Sequence, residues 1–112
     1  MKLIDAVIHP GKLDDVLAAL MAIGIEGLTM TEVKAPTTPV VTAVYRGATP
    51  VAVDSVPLAR IEVVAADFKT PQVVEAVRRA ARVGQRDDGV VAVLPLDDVL
   101  RVRTGESGES AL

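Results

Sequence analysis

Leu13-Asp14-Asp15-Val16-Leu17-Ala18-Ala19-Leu20 is the stretch on which the fold turns. Leu13, Val16, Leu17 and Leu20 stand at i, i+3, i+4 and i+7, the stripe of an amphipathic helix. Asp14 and Asp15 fall in its first turn, where the positive end of the helix dipole favours acids. Gly24 is placed to close it. Before this helix, Lys2 to Ile8 reads as a strand ended by His9-Pro10-Gly11, because Pro cannot donate to a ladder and Gly loosens the backbone. His9 reads most plainly as a surface residue at a strand end. After the helix, Ile25 to Lys34 reads as a second strand, with Ile25, Leu28 and Met30 inward and Thr29, Thr31 and Glu32 interleaved. The three together predict a β-α-β unit.

The same order returns downstream. Leu58 to Ala66 reads as a third strand, with Ile61, Val63 and Val64 apolar around Arg60 and Glu62. Thr70-Pro71 predicts the start of a second helix, Thr as its cap and Pro in the first helical position. Val73, Val77 and Ala80 form one row of its stripe, widened by Val74 and Ala81, while Arg78, Arg79 and Arg82 make a solvated outer face. Val90 to Leu94 is a short continuous apolar strand suited to a buried position, and Pro95 ends it. Asp97-Asp98 reads as a solvated turn and Val99 to Arg103 as a last, shorter strand. Thr104 to Leu112 is a small, polar tail that orders only if something holds it.

Between the two units lies the least regular part of the chain. Four prolines between positions 36 and 57 argue against a long, fully paired element there. A loop of about 20 residues inside a compact domain is uncommon and tends to be functional. Val40, Val41, Val44, Val51 and Val53 allow a simple surface hairpin; left exposed they favour a surface for docking a partner. The order β-α-β, loop, β-α-β predicts an α+β, ferredoxin-like βαββαβ sandwich, with a long loop after the second strand and a short C-terminal strand. The 112 residues suit a single domain, 1–112. Helices on one side leave the other sheet face bare. Val7, Val64 and Val93 are expected on it, and self-association is its simplest cover.

Composition narrows the function. Half the residues are hydrophobic but only Tyr45 and Phe68 are aromatic, so the core must be aliphatic. A net charge of −3 without a basic block argues against a nucleic-acid binder. The chain has no cysteine and a single histidine, His9, which disfavours thiol chemistry and a metal centre. No apolar run approaches the ~20 residues of a membrane span, and the first residues do not read as a signal peptide, so a soluble, cytoplasmic protein is expected. No nucleophile–base pair stands out, and the acid pairs Asp14-Asp15, Asp87-Asp88 and Asp97-Asp98 are adjacent rather than convergent; an enzyme is not expected.

What the residues do suggest is an anion site. In an extended segment Arg101 and Arg103 share a face, two guanidinium forks suited to phosphate or carboxylate. Upstream, Gly84-Gln85-Arg86-Asp87-Asp88-Gly89 is a glycine-bearing loop whose backbone N–H groups suit the same ligand. The arrangement predicts that loop and arginines meet at one site. The plain alternative is a solvated edge with two ordinary arginines.

Several stretches in combination resemble the PII signal-transduction proteins: Met1-Lys2-Leu3-Ile4-Asp5-Ala6, Lys12-Leu13-Asp14-Asp15-Val16, Gly27-Leu28-Thr29-Met30-Thr31-Glu32-Val33-Lys34, Tyr45-Arg46-Gly47-Ala48 and Arg101-Val102-Arg103-Thr104-Gly105-Glu106. The resemblance covers nearly the whole chain. It implies a homotrimeric sensor that binds adenine nucleotides (ATP, ADP or AMP) as effectors in clefts between subunits. It also implies a T-loop, about residues 35–57 here, that docks a target transporter, enzyme or regulator through Tyr45, Arg46, Gly47 and Ala48. The positions matching the family's nucleotide contacts are Gly27, Thr29, Glu62, Val64, Arg86, Asp87, Asp88 and Gly89, with Arg101 and Arg103 from the neighbouring subunit.

The departures are specific. The family's phosphate loop usually reads Thr-Gly-Lys-Ile-Gly-Asp-Gly-Lys, whereas this chain has Val83-Gly84-Gln85-Arg86-Asp87-Asp88-Gly89-Val90. A hydroxyl and a phosphate-facing lysine are lost, and Asp87 adds a carboxylate beside the anion, repulsive by about 1 kcal/mol or more. Arg86 offers partial compensation, so ADP or AMP is expected to be favoured over ATP. Ala35-Pro36-Thr37-Thr38-Pro39 replaces the Gly-rich start whose glutamine helps hold magnesium and 2-oxoglutarate. Leu58 stands where the family has a lysine. Thr49-Pro50 replaces the Glu-Tyr that carries the uridylylated tyrosine. The usual 2-oxoglutarate and uridylylation routes are therefore not expected; another small anion such as bicarbonate is a candidate second input. The competing reading is a ligand-independent interaction module on the same scaffold.

Overall fold

In the computed structural model, residues 1–36, 55–84 and 89–112 are described. Four strands, β1 (Lys2–Ile8), β2 (Thr29–Pro36), β3 (Ser55–Ala65) and β4 (Gly89–Pro95), form one antiparallel sheet in the order β2-β3-β1-β4. Two helices, α1 (Leu13–Ala22) and α2 (Thr70–Ala81), connect them on one face. This is the expected α+β, ferredoxin-like arrangement.

Strand alternation makes the core. Ile4, Ala6 and Ile8 of β1 point to the helices, and Ala59, Ile61, Val63 and Ala65 of β3 do the same beside them. Val16 and Leu20 of α1 and Val73, Val77 and Ala81 of α2 close over them. Every large residue in this cluster is aliphatic, as the composition requires. Helix α1 ends in a Schellman motif: the Ile25 N–H donates to the Leu20 carbonyl and the Gly24 N–H to that of Met21, both at 3.0 Å. Gly24 carries the positive φ of +86° that this turn needs. Leu20 and Ile25 are both buried there, so the helix end and the core are one contact.

Several expectations change at the edges. Met30 pairs with Ile61 on the core-facing side, yet it is 53% exposed, because neither helix reaches out over β2. β4 is not a buried central strand but an edge strand, with Val90 68% exposed. Only Val91 packs against the core. Val93 faces Ile4 and so lies on the helix side, not on the open face; Val7 and Val64 do lie on the open face, with Leu3, Val90 and Leu94. β3 starts at Ser55 and takes Pro57 into a paired position opposite Lys34. The ladder with β1 begins only at Ala59, so Pro57 sits where β3 has β2 as its one neighbour and a missing donor is tolerated.

Thr70 does not cap α2. Lys69 holds the cap position, and the Thr70 hydroxyl donates back to the Ala66 carbonyl at 3.0 Å. Val99 to Arg103 forms no strand: the segment makes a single bridge, Leu100 to Ser107, with its own tail. The Gly105 N–H closes the turn on the Arg101 carbonyl at 2.8 Å. Among the described residues, no helix is long and apolar enough to cross a membrane.

Leu20→Ala is expected to lower stability by about 2–5 kcal/mol, the cost of a buried leucine and its cavity. The half-buried Leu17→Ala should cost less, and urea unfolding midpoints would show the order. A second expectation concerns the outer face of α2, where Arg78 and then Arg79 hydrogen-bond Glu75 and hold its carboxyl down at about 2, against an ordinary 4.5. A carboxylate lowered on folding stabilises above its unfolded value and loses that effect as pH falls through the folded one. Glu75→Gln should therefore lower the melting temperature at neutral pH. The difference should fade between pH 4.5 and about 2, and high salt should shrink it at neutral pH because the pair is exposed.

Candidate functional site

The open face of the sheet is apolar at both ends and charged in the middle. Asp5 and Glu62 stand directly opposite each other across β1 and β3. Like charges so placed repel. Arg60 resolves the conflict by gripping Asp5 with both ends of its fork, Nε to Oδ1 at 3.0 Å and Nη2 to Oδ2 at 2.6 Å, while Nε lies 3.9 Å from Glu62. Thr29 continues the same row on β2, paired with Glu62.

One row further along, where β3 ends, a cleft of about 510 Å³ opens. Its walls come from the α1–β2 connection (Gly24 to Gly27), the end of β3 (Val64 to Ala66), the start of α2 (Phe68, Lys69) and the C-terminal segment (Val99, Arg101, Ala111, Leu112). Three of the sequence-selected positions, Gly27, Val64 and Arg101, line it, and Thr29 and Glu62 occupy the adjoining sheet row. The lining is mostly apolar, with Lys69 and Arg101 as its cations and Glu26 as its acid.

The C-terminal wall is built by hydrogen bonds that the sequence did not announce. Asp98, expected as a solvated turn residue, accepts from the Val99 N–H at 2.8 Å and the Gly108 N–H at 2.9 Å through Oδ1. The Arg101 Nε donates to the Ala111 carbonyl at 3.1 Å, and Ala111 is buried. A 3₁₀ turn, Gly108–Ala111, results. Asp98 and Arg101 hold the tail together with backbone bonds, the Arg101 N–H to the Glu106 carbonyl at 2.8 Å and the Gly108 N–H to the Val99 carbonyl at 2.9 Å.

Arg103 is exposed and does not line the cleft. Because the segment is a turn, the alternation that would have put Arg101 and Arg103 on one face does not operate. Gly89 lies at the far end of the sheet, opposite Ile8, while the cleft lies near the Lys2–Ala65 pair. The seven residues of β1 span six steps between those ends, about 20 Å at 3.3 Å per step. Within one chain, Gly89 and Arg101 therefore do not meet. Gly89 also has a backbone reason of its own: its φ is +120° and a Cβ there would overlap the Val7 carbonyl oxygen. Arg86, Asp87 and Asp88, and the loop residues Tyr45, Arg46, Gly47 and Ala48, lie outside the described residues. Phe68, which the sequence reading passed over as a site residue, stands at the cleft with its side chain in solvent. Its signal was rarity, as one of two aromatic residues in the chain.

Comparison with known proteins bears on this arrangement. The family model described as nitrogen regulatory protein P-II matches residues 1–106. The chain is 44% identical to a nitrogen regulatory protein P-II of Rhizobium meliloti and 44% identical to one of Azospirillum brasilense, covering all of both chains in each case. It is also 44% identical to nitrogen regulatory protein GlnK of Escherichia coli, again over the full length of both.

Asp98→Ala removes the side-chain acceptor shared by the Val99 and Gly108 N–H groups, leaves the backbone bonds of the tail in place, and should loosen the C-terminal turn without unfolding the sheet. Limited proteolysis within residues 99–112 should accelerate severalfold, while the far-ultraviolet circular dichroism stays close to that of the unaltered chain.

Proposed function

The chain belongs to the nitrogen regulatory protein P-II family, whose members are signal transducers rather than enzymes, and on that premise we propose a trimeric regulator that binds adenine nucleotides in clefts between subunits. A bound nucleotide would bias residues 35–57, the T-loop, toward or away from docking a target protein through Tyr45, Arg46, Gly47 and Ala48. A ligand can do so only through different affinities for the loop's alternative states.

The observation that carries this reading is the separation of the two anion-binding elements. Gly89 and Arg101 stand at opposite ends of the sheet. A single phosphate group can reach both only if a second copy presents its own Arg101 and Arg103 to the first copy's 84–89 segment. Exposed apolar residues support such an assembly: Val90, Val93, Leu94, Leu100 and Val102 are all in solvent in one chain, Val102 at 92%. Covering them contributes hydrophobic free energy to association.

The chemistry favours ADP or AMP over ATP. Asp87 would stand beside the phosphates, and Val90, at the start of β4, offers no cation to a terminal phosphate. Gly27, Thr29, Glu62 and Val64 would receive the nucleoside, and Arg86, Asp88 and Gly89 would complete the phosphate end. Leu58 and the Ala35-Pro36 start leave 2-oxoglutarate and its magnesium without their usual partners, so a different small anion such as bicarbonate is proposed as the second input. Asp87 and Val90 also favour the second reading, a ligand-independent interaction module.

Isothermal titration separates the two. ADP and AMP should bind more tightly than ATP, and 2-oxoglutarate with magnesium and ATP should add no heat. At a hundredfold excess over its dissociation constant, a ligand of the native state adds about 2.7 kcal/mol of stability. Arg103→Ala should weaken ADP binding by tenfold or more. No binding of any adenine nucleotide would favour the ligand-independent module.

A further inference from the structure

Phe68 is 83% exposed, an unusual position for the one aromatic side chain among the described residues. Its backbone is not loose. The Asp67 carboxylate takes a hydrogen bond from the Met1 ammonium at 2.8 Å, which holds that carboxyl below its ordinary range. The Lys69 and Thr70 N–H groups both donate to the Ala66 carbonyl, at 3.0 and 3.1 Å, and the Thr70 hydroxyl joins them. The ring is therefore presented by a pinned turn, beside a cleft, with no side-chain packing of its own to justify an aromatic residue.

The cleft says what the ring faces. Its apolar lining suits a flat, weakly polar group, and Lys69 and Arg101 supply two cations at its wall. A purine nucleotide has both parts, a planar base and an anionic tail. We propose that Phe68 is the base-stacking residue of this cleft, so that the purine of the bound nucleotide lies against its exposed ring. Stacking against an aromatic side chain tolerates any base and depends on its π-face rather than on hydrogen bonds. Phe68 would thus contribute affinity for the base, while the arginines contribute affinity for the phosphates. This assignment rests on the nucleotide reading above.

The test pairs two substitutions with two ligands. Phe68→Ala should weaken ADP binding about tenfold or more, while leaving the affinity for inorganic pyrophosphate within about twofold. Phe68→Trp should keep ADP affinity, and its indole, the only one in a chain without tryptophan, should be quenched by ADP but not by pyrophosphate. Sedimentation velocity of Phe68→Ala should match the unaltered chain. If Phe68→Ala instead dissociates the assembly, the ring is an interface contact and the assignment is overturned. Equal ADP affinity in Phe68→Ala and the unaltered chain overturns the stacking role alone. Failure of the unaltered chain to bind any adenine nucleotide overturns both this role and the nucleotide reading.

Discussion

Two helices can cover only one face and the middle of a four-stranded sheet, and most of this structure follows from that limit. The central pair, β1 and β3, uses the covered face fully: Ile4, Ala6, Ile8, Ala59, Ile61, Val63 and Ala65 are all buried against α1 and α2. The edge strands get little of it. Met30 on β2 and Val93 on β4 share the same face yet stay in solvent. The open face carries Leu3, Val7 and Val64 around the Asp5–Arg60–Glu62 group. An isolated chain therefore keeps a stable centre and an apolar periphery, the distribution that favours assembly over a monomer.

The cleft at the end of β3 is made by closure of turns rather than by the sheet. Gly24 turns the chain out of α1, and the Ala66 carbonyl gathers three donors at the start of α2. Asp98 and Arg101 fold the last residues back as a wall. Each of these is a short-range satisfaction of backbone groups that would otherwise stand unpaired. They convert loop residues into a shaped surface with two cations on an apolar floor. Arg101 is engaged through Nε with the Ala111 carbonyl, which ties the cleft wall to the chain's last turn.

Legibility in the sequence followed the range of the physics. α1 was readable because its stripe, its first-turn acids and its terminal glycine are all local. The strand cores of β1 and β3 were readable because alternation repeats every second residue. β4 was misread: a continuous apolar run says that both faces are to be covered, but not by what. Val99 to Arg103 was misread as well, because an apolar run makes a strand only beside a free sheet edge, and this one met its own tail first. Thr70 had the composition of a cap but found a closer partner in the Ala66 carbonyl. Asp98 looked like any surface acid until the tail it holds was in place.

The sequence by itself determined the order of elements, the aliphatic core and the family, since these depend on spacing and composition along a short length of chain. It also named Gly27, Val64 and Arg101, which prove to be neighbours. Only the tertiary structure decided which strands lie at the edges and that Arg101 and Arg103 sit in a turn. It alone showed that Gly89 and the cleft lined by Arg101 lie at opposite ends of the sheet in one chain. The reason is geometric. Periodicity specifies which face of an element is apolar, whereas the position of that element in the sheet, and hence what lies across from it, depends on pairings between residues far apart in the chain.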